Sequence, residues 1–251
     1  MYKFFVKQEQ IQNETIDIIG EDVNHIKNVL RLAAGDMIEI CDYDSKQSYL
    51  CNIDRIEKES VLCEIQEKVQ QEEDPNIHIH IFQGLPKADK MEFIIQKATE
   101  IGIEEITPVI MHRSIVKINP ENECKKIQRW QKIAEASAKQ SKRNDITQIN
   151  DFIKLKDICS ITSDYDIVLI PYENEKENRL KEVLKKVENN NRSVLKIAVV
   201  IGPEGGFEEE EIENLKNNTK YKVITLGKRI LRTETVAIFI SSIIMYELGG
   251  I

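Results

Sequence analysis

Twice near its C-terminus the chain runs a short apolar segment into a glycine-bearing turn and then into a helix-like stretch. Ile197-Ala198-Val199-Val200 leads into Ile201-Gly202-Pro203-Glu204-Gly205-Gly206-Phe207, and Val223-Ile224-Thr225 leads into Leu226-Gly227-Lys228-Arg229-Ile230-Leu231-Arg232-Thr233-Glu234-Thr235. Apolar runs this short, bounded by turns, predict buried strands. Strand, turn and helix in alternation predict a parallel sheet, and in open sheets of that kind ligands bind at the carboxyl ends of the strands. Two such turns can build one pocket from their exposed backbone amides and carbonyls. Gly202, Gly205 and Gly206 permit positive φ and close backbone approach, and Pro203 fixes one bend. Two ordinary strand-to-helix turns would read the same way. A phosphate cradle is excluded: there is no Gly-Lys-Ser/Thr and no G-x-G-x-x-G. Glu204 and Glu208 to Glu211 would repel a polyphosphate, whereas the latter four suit a helix N-terminus.

The remainder divides at Gln70 to Asn76, a polar, acidic stretch containing Pro75 that reads as a linker. The expected domains are therefore 1–72 and 76–251. Before the linker, Tyr2–Val6, Asp36–Asp42, Ser48–Ile53 and Val61–Ile65 read as strands, with a hairpin turn at Asp44-Ser45. One helix, Asp22 to Leu30, places Val23, Ile26, Val29 and Leu30 on one face. That count predicts a small β-barrel. After the linker, strands are expected at Ile77–Phe82, Ile106–Met111, Asp166–Ile170, Ile197–Ile201 and Lys222–Leu226. Asp89 is a candidate cap for a helix whose stripe is Met91, Ile94, Ile95, Ala98 and Ile101, stopped by Gly102. A second helix starts at Asn119-Pro120 and runs to about Lys142, with Ile127, Trp130, Ile133, Ala134 and Ala138 inward. Further helices are expected up to Val187, over Glu208–Lys216 and over Thr233–Leu248, with a loop at Asn189–Asn191. The last helix is apolar nearly all round, so it must be buried on several sides, in the core or against another subunit. His78 and His80 share a strand face, but no third ligand is near, so a polar face without metal is expected.

The net charge is −8, which argues mildly against a nucleic-acid partner. Yet Arg113 to Arg143 holds nine Lys/Arg against three Glu, and the local field decides where a phosphate backbone docks. Arg129, Lys132, Lys139 and Arg143 are expected to face solvent or phosphate. The five cysteines include no C-x-x-C pair, which argues against a disulfide framework or a zinc site. No run reaches eighteen apolar residues and the N-terminus lacks a signal peptide's apolar core, so no membrane span and a cytoplasmic location are expected.

GPEGGF followed by LGKRILRTETVA resembles the signature of the RsmE family of SPOUT methyltransferases. Also similar to that family's motifs are His25-Ile26-Lys27-Asn28-Val29-Leu30-Arg31 with Gly35-Asp36, Lys90-Met91-Glu92 through Gly102, and Arg129-Trp130 through Gln140-Ser141-Lys142-Arg143. The N-terminus departs from the pattern, Lys3 standing where the family usually has more arginine. The resemblance spans the whole chain and implies the α/β SPOUT fold with a deep C-terminal trefoil knot. It also implies a PUA-like N-terminal β-barrel that grips RNA and a homodimer packed around the knot. The implied activity is S-adenosylmethionine-dependent methylation of N3 of a uridine in 16S rRNA of the small ribosomal subunit. Cofactor contacts are then expected at Ile170, Pro171, Ile201, Gly202, Pro203, Glu204, Gly205, Leu226, Gly227, Ile230, Leu231, Arg232, Thr235 and Ala237. Arg31, Lys87, Lys90, Gln140, Ser141 and Arg143 are expected at the RNA. Arg232 and Arg143 are candidates for stabilising charge on the uracil oxygens, and Glu234 is a candidate base or adenosine contact. Another rRNA nucleoside, a ribose 2′-hydroxyl, or an inactive RNA-binding assembly protein are the alternatives.

Overall fold

The computed structural model describes residues 1–70, 76–115, 119–187 and 194–249. Most of the expected linker and the loop at Asn189–Asn191 lie outside these residues. The chain forms two compact units: one gathers the N-terminal strands with Ala138–Ile146, the other is built on the second sheet.

In the first unit, β1 (Lys3–Val6), β2 (Ile11–Gln12), β3 (Thr15–Ile19), β4 (Met37–Asp42), β5 (Ser48–Ile56) and β6 (Ser60–Lys68) form a curled sheet in the order β1-β4-β5-β6-β3-β2. β1 lies parallel to β4 and the other pairs are antiparallel. β2 and β3 are additional to the four expected strands. Period-two alternation turns Phe4, Ile16, Ile18, Ile38, Ile40, Ile53, Cys51 and Cys63 into one core. Burial pushes the Cys51 and Cys63 thiols up to about 12, so both act as small apolar residues.

The helix begins as α1 (Glu21–Asn24) and widens into a π-helical turn over His25–Leu30. The wider turn corrects the expected face. Val23 and Ile26 are buried and Leu30 half-buried, but Val29 is 61% exposed, because i→i+5 bonding rotates it outward. Arg31 closes the helix in the left-handed region (φ 56°), donating its N–H to Ile26 O.

The segment 138–146 joins this unit through polar bonds. Lys3, only 4% exposed, donates to Glu39 Oε1 (2.9 Å), to Lys142 O (3.3 Å) and to the Asn144 side chain. Ser48 Oγ donates to Asn144 Oδ1 (2.9 Å). Lys139 Nζ pairs with Asp22 (2.7 Å), and the Arg143 guanidinium makes two 2.9 Å bonds to the Asp145 carboxylate. Lys139 and Arg143 are thus ion-paired rather than left to solvent. In the second unit Arg129 is paired in the same way, with Glu92 (2.8 Å). Carboxylates near and far in sequence neutralise much of the basic stretch.

The second unit's sheet is parallel throughout. It comprises β7 (Ile77–Gly84), β8 (Glu105–Ile110), β9 (Gln148–Ile149), β10 (Ile153–Lys154), β11 (Ile167–Pro171), β12 (Leu195–Ile201) and β13 (Tyr221–Ile224). The order is β10-β8-β7-β12-β11-β13, with β9 also on β8. The central strands are buried on both faces, which is why they read as unbroken apolar runs. The helices are α2 (Lys90–Ile101), α3 (Pro120–Ser141), α4 (Ile158–Ile161), α5 (Leu180–Val187), α6 (Glu209–Lys216) and α7 (Thr233–Glu247). α2 buries Met91, Ile94, Ile95 and Ala98 and ends at Gly102 with φ 111°. Asp89 occupies its N-cap position, but its side chain makes no capping bond. Trp130 is buried, its ring 5.6 Å from Phe152. α7 packs on α2, α5 and the sheet with Ala237, Ile240, Ser241, Ile244 and Met245 buried. Its outer side leaves Phe239 41% and Tyr246 72% exposed. Among the described residues, no helix is long and apolar enough to cross a membrane.

His80 is enclosed in a polar network. Its ring nitrogens meet Tyr165 Oη and Thr107 Oγ1 (2.7 Å), while Asn150 Nδ2 donates to Thr107 Oγ1 (3.0 Å) and Glu105 Oε2 (2.8 Å). His78 Nε2 lies 3.0 Å from Glu105 Oε1. The polar face expected at His78 and His80 is therefore internal at His80. Among the described residues, no group of three or more His, Cys, Asp or Glu is placed to hold a metal.

Candidate active site

Because the sheet is parallel, the carboxyl ends of β11, β12 and β13 finish side by side, with Leu169 beside Val199 and Pro171 beside Ile224. The segments that follow enclose a cavity of about 370 Å³. Its walls are Gly202 to Phe207 after β12, Ile230 to Thr233 before and at the start of α7, Pro171 and Glu173 after β11, and Lys90 and Val236. A smaller recess of about 100 Å³ adjoins it, lined by Tyr172, Thr225 and Leu226 to Arg229, and shares Pro171, Glu173, Ile230, Leu231 and Val236. Together they form one cleft, in the size range of small-molecule sites.

Several contacts fix the walls. At Gly84, the last residue of β7, a Cβ would lie 2.6 Å from Pro203 N, so only glycine lets strand and loop touch. Gly206 alone of the first loop's glycines has positive φ (69°), and its N–H donates to Pro203 O (2.9 Å). Gly202 and Gly205 serve close approach instead, against Phe207 and Arg113. Gln83 Nε2 donates to Thr233 Oγ1 (2.8 Å), which donates to Gly202 O (2.7 Å). One polar strut therefore joins β7, the first loop and the start of α7. Arg113 bonds Gly205 O (3.1 Å) and Glu208 (2.8 Å). Glu208 caps α6 in a capping box with Glu211.

Of the residues expected at a cofactor, Pro171, Ile201, Gly202, Pro203, Glu204, Gly205, Ile230, Leu231 and Arg232 line the larger cavity, and Leu226 and Gly227 the smaller. Ile170, Thr235 and Ala237 line neither cavity: Ile170 and Ala237 are buried and Thr235 is exposed. Glu234 pairs with Lys90 (3.3 Å), which also pairs with Glu204 (3.1 Å). Glu204 accepts the Lys87 N–H (2.9 Å), while the Lys87 residue itself is exposed. Arg31, Gln140, Ser141 and Arg143 belong to the N-terminal unit. Gln83, Thr233, Glu173, Tyr172 and Val236 were not among the expected site residues.

Residues 72–245 match the family model described as an RNA methyltransferase domain, and residues 18–66 match the RNA methyltransferase PUA domain. Ribosomal RNA small subunit methyltransferase E of Bacillus subtilis is 34% identical, over 98% of this chain and 97% of that protein. The protein of the same name from Mesomycoplasma hyopneumoniae is 36% identical, over 96% and 97%. The crystal structure of ribosomal RNA small subunit methyltransferase E from Neisseria gonorrhoeae bound to S-adenosyl methionine superimposes with a TM-score of 0.83 at 26% identity, covering 98% of each chain.

Proposed function

This chain belongs to the ribosomal RNA small subunit methyltransferase E family, and we propose that it transfers a methyl group from S-adenosylmethionine to N3 of a uridine in 16S rRNA. The observation that carries this reading is the cleft at the ends of β11, β12 and β13, walled by both glycine-bearing loops. Its size suits an adenosine, and its exposed loop backbone offers the amides and carbonyls that an adenine and ribose require. Bound S-adenosylmethionine supplies an electrophilic methyl on a sulfonium. The chain's own task is to orient the acceptor and to stabilise charge. Loss of the N3 proton would place negative charge on O2 and O4, and that charge would be neutralised when N3 takes the methyl from the sulfonium. Arg232, exposed at the cleft wall, is assigned to that charge, and Glu234 to the proton or the adenosine.

In the same reading Arg31, Gln140, Ser141 and Arg143 contact RNA from the N-terminal unit, Arg143 in competition with Asp145 and with a further charge-stabilising role. The knot of the family, the domain boundaries expected from the linker and a cytoplasmic location belong to this reading too. So does a homodimer through the open side of α7. Mass spectrometry of rRNA from a deletion strain tests it: loss of 3-methyluridine alone is expected, and loss of a different modification refutes it. Arg232→Ala is expected to lower turnover roughly a hundredfold, the scale for removing one charge-stabilising donor; undiminished turnover would remove Arg232 from the chemistry.

A further inference from the structure

We propose that Lys90 is a positioning residue, the clasp that holds the two glycine-bearing walls of the methyl-donor cleft together, and not a contact for RNA. This rests on the methyltransferase reading and deepens it. Lys90 opens α2, where the helix dipole disfavours a cation, so its placement calls for a compensating partner. It has two. Its Nζ lies 3.1 Å from Glu204 Oε1 and 3.3 Å from Glu234 Oε2. Glu204 stands in the loop after β12, and Glu234 in the first turn of α7, directly behind the second loop. The backbone of the same turn adds a tether, since the Lys87 N–H donates to Glu204 Oε1. One ammonium thus joins three segments that are far apart in sequence.

The two carboxylates depend on it unequally. Glu234 Oε2 is buried without a hydrogen bond, so its contact with Lys90 is an ion pair rather than a directed bond, and that pair is its compensation. Its side chain is only 15% exposed. A carboxylate left there without its cation must either take up a proton or swing out, and α7 would move with it. Glu204 would keep the Lys87 amide but face a like charge. The two anionic walls would then repel each other across the cavity that Lys90 and Glu204 line. The ammonium has three donors and lies at the rim, so an arginine at the same place can span the same two carboxylates.

Isothermal titration of the full-length protein with S-adenosylmethionine, beside filter binding of a 16S rRNA fragment, separates the two roles. Lys90→Met is expected to weaken S-adenosylmethionine binding roughly tenfold or more, the scale of a broken part-buried ion pair, and to leave RNA affinity within about twofold. Lys90→Arg is expected to bind S-adenosylmethionine within about threefold of the unaltered protein. An RNA affinity that falls while cofactor affinity holds would make Lys90 an RNA contact and overturn the proposal. An arginine variant as impaired as the methionine variant would overturn it too, and this arm stands even if Lys90→Met does not fold. Lack of S-adenosylmethionine binding by the unaltered protein would sink the methyltransferase reading itself, a result distinct from either of these.

Discussion

Lowering the pH from 8 to 5 is expected to weaken the parallel sheet through His80. That imidazole is 1% exposed, and burial pulls its pKa down from 6.5 to about 4. Between these values the unfolded chain binds the proton and the folded chain does not, so stability falls as the pH falls. At pH 5 the loss from this one group is about 2 kcal/mol. Its neighbours act in other windows or in the other direction. Glu105 is held down to about 2, first by the His78 hydrogen bond, so its contribution persists above the ordinary carboxylate range and is lost at lower pH. The His78 pKa is raised by Glu105, so its contribution is present in acid and is lost as the pH rises through its folded value. A variant comparison isolates His80. Urea unfolding followed by the fluorescence of Trp130, the only tryptophan and in the same unit, should show the unaltered protein losing about 2 kcal/mol more than His80→Gln between pH 8 and 5. The imidazole NMR resonance that disappears in His80→Gln should stay in its neutral form down to pH 5. A titration midpoint near 6.5 for that resonance would refute the buried, neutral assignment.

Thr233→Val cuts the strut from Gln83 through Thr233 to Gly202 O. It is expected to cost about 1–3 kcal/mol in thermal or urea unfolding and to weaken S-adenosylmethionine binding, with Thr233→Ser restoring both. Phe239→Asp puts a charge on the open side of α7. Analytical ultracentrifugation should show a dimer for the unaltered protein and a monomer for the variant, and a monomeric unaltered protein would refute the proposed dimer.

The parallel sheet was legible because strands covered on both faces must be apolar throughout, and Ile197–Ile201 is so without interruption. The N-terminal sheet is legible from alternation, and β3, absent from the four expected strands, carries the same signal: Ile16 and Ile18 alternate with Thr15 and Asp17 as a half-buried strand requires. The π turn at His25–Leu30 was not readable. The 3.6-residue period places Val29 inward, and only the backbone shows that the helix widens there. Ion pairs were equally hidden. Lys139 with Asp22, and Arg129 with Glu92, join residues whose separation in sequence carries no pattern.

The candidate cleft divides along the same physical line. Glycine and proline announce turns because their backbone preferences are local, so GPEGG and the residues around Gly227 pointed at the walls directly. What holds those walls in place is not local. Gln83 and Thr233 are separated by 150 residues and bonded at 2.8 Å, and neither has a composition or spacing that marks it. Lys90 is visible as a cation on a strand-to-helix turn, and only together with the family resemblance does that position point to RNA or the active site. Only its distances to Glu204 and Glu234 turn it into a clasp. Local chemistry therefore says which segments surround the ligand, while long-range polar bonds decide whether they stand at the separation a ligand needs. Substitutions at Gln83, Lys90 and Thr233 are accordingly expected to damage cofactor affinity even though two of these three side chains offer no sequence signature of a binding site.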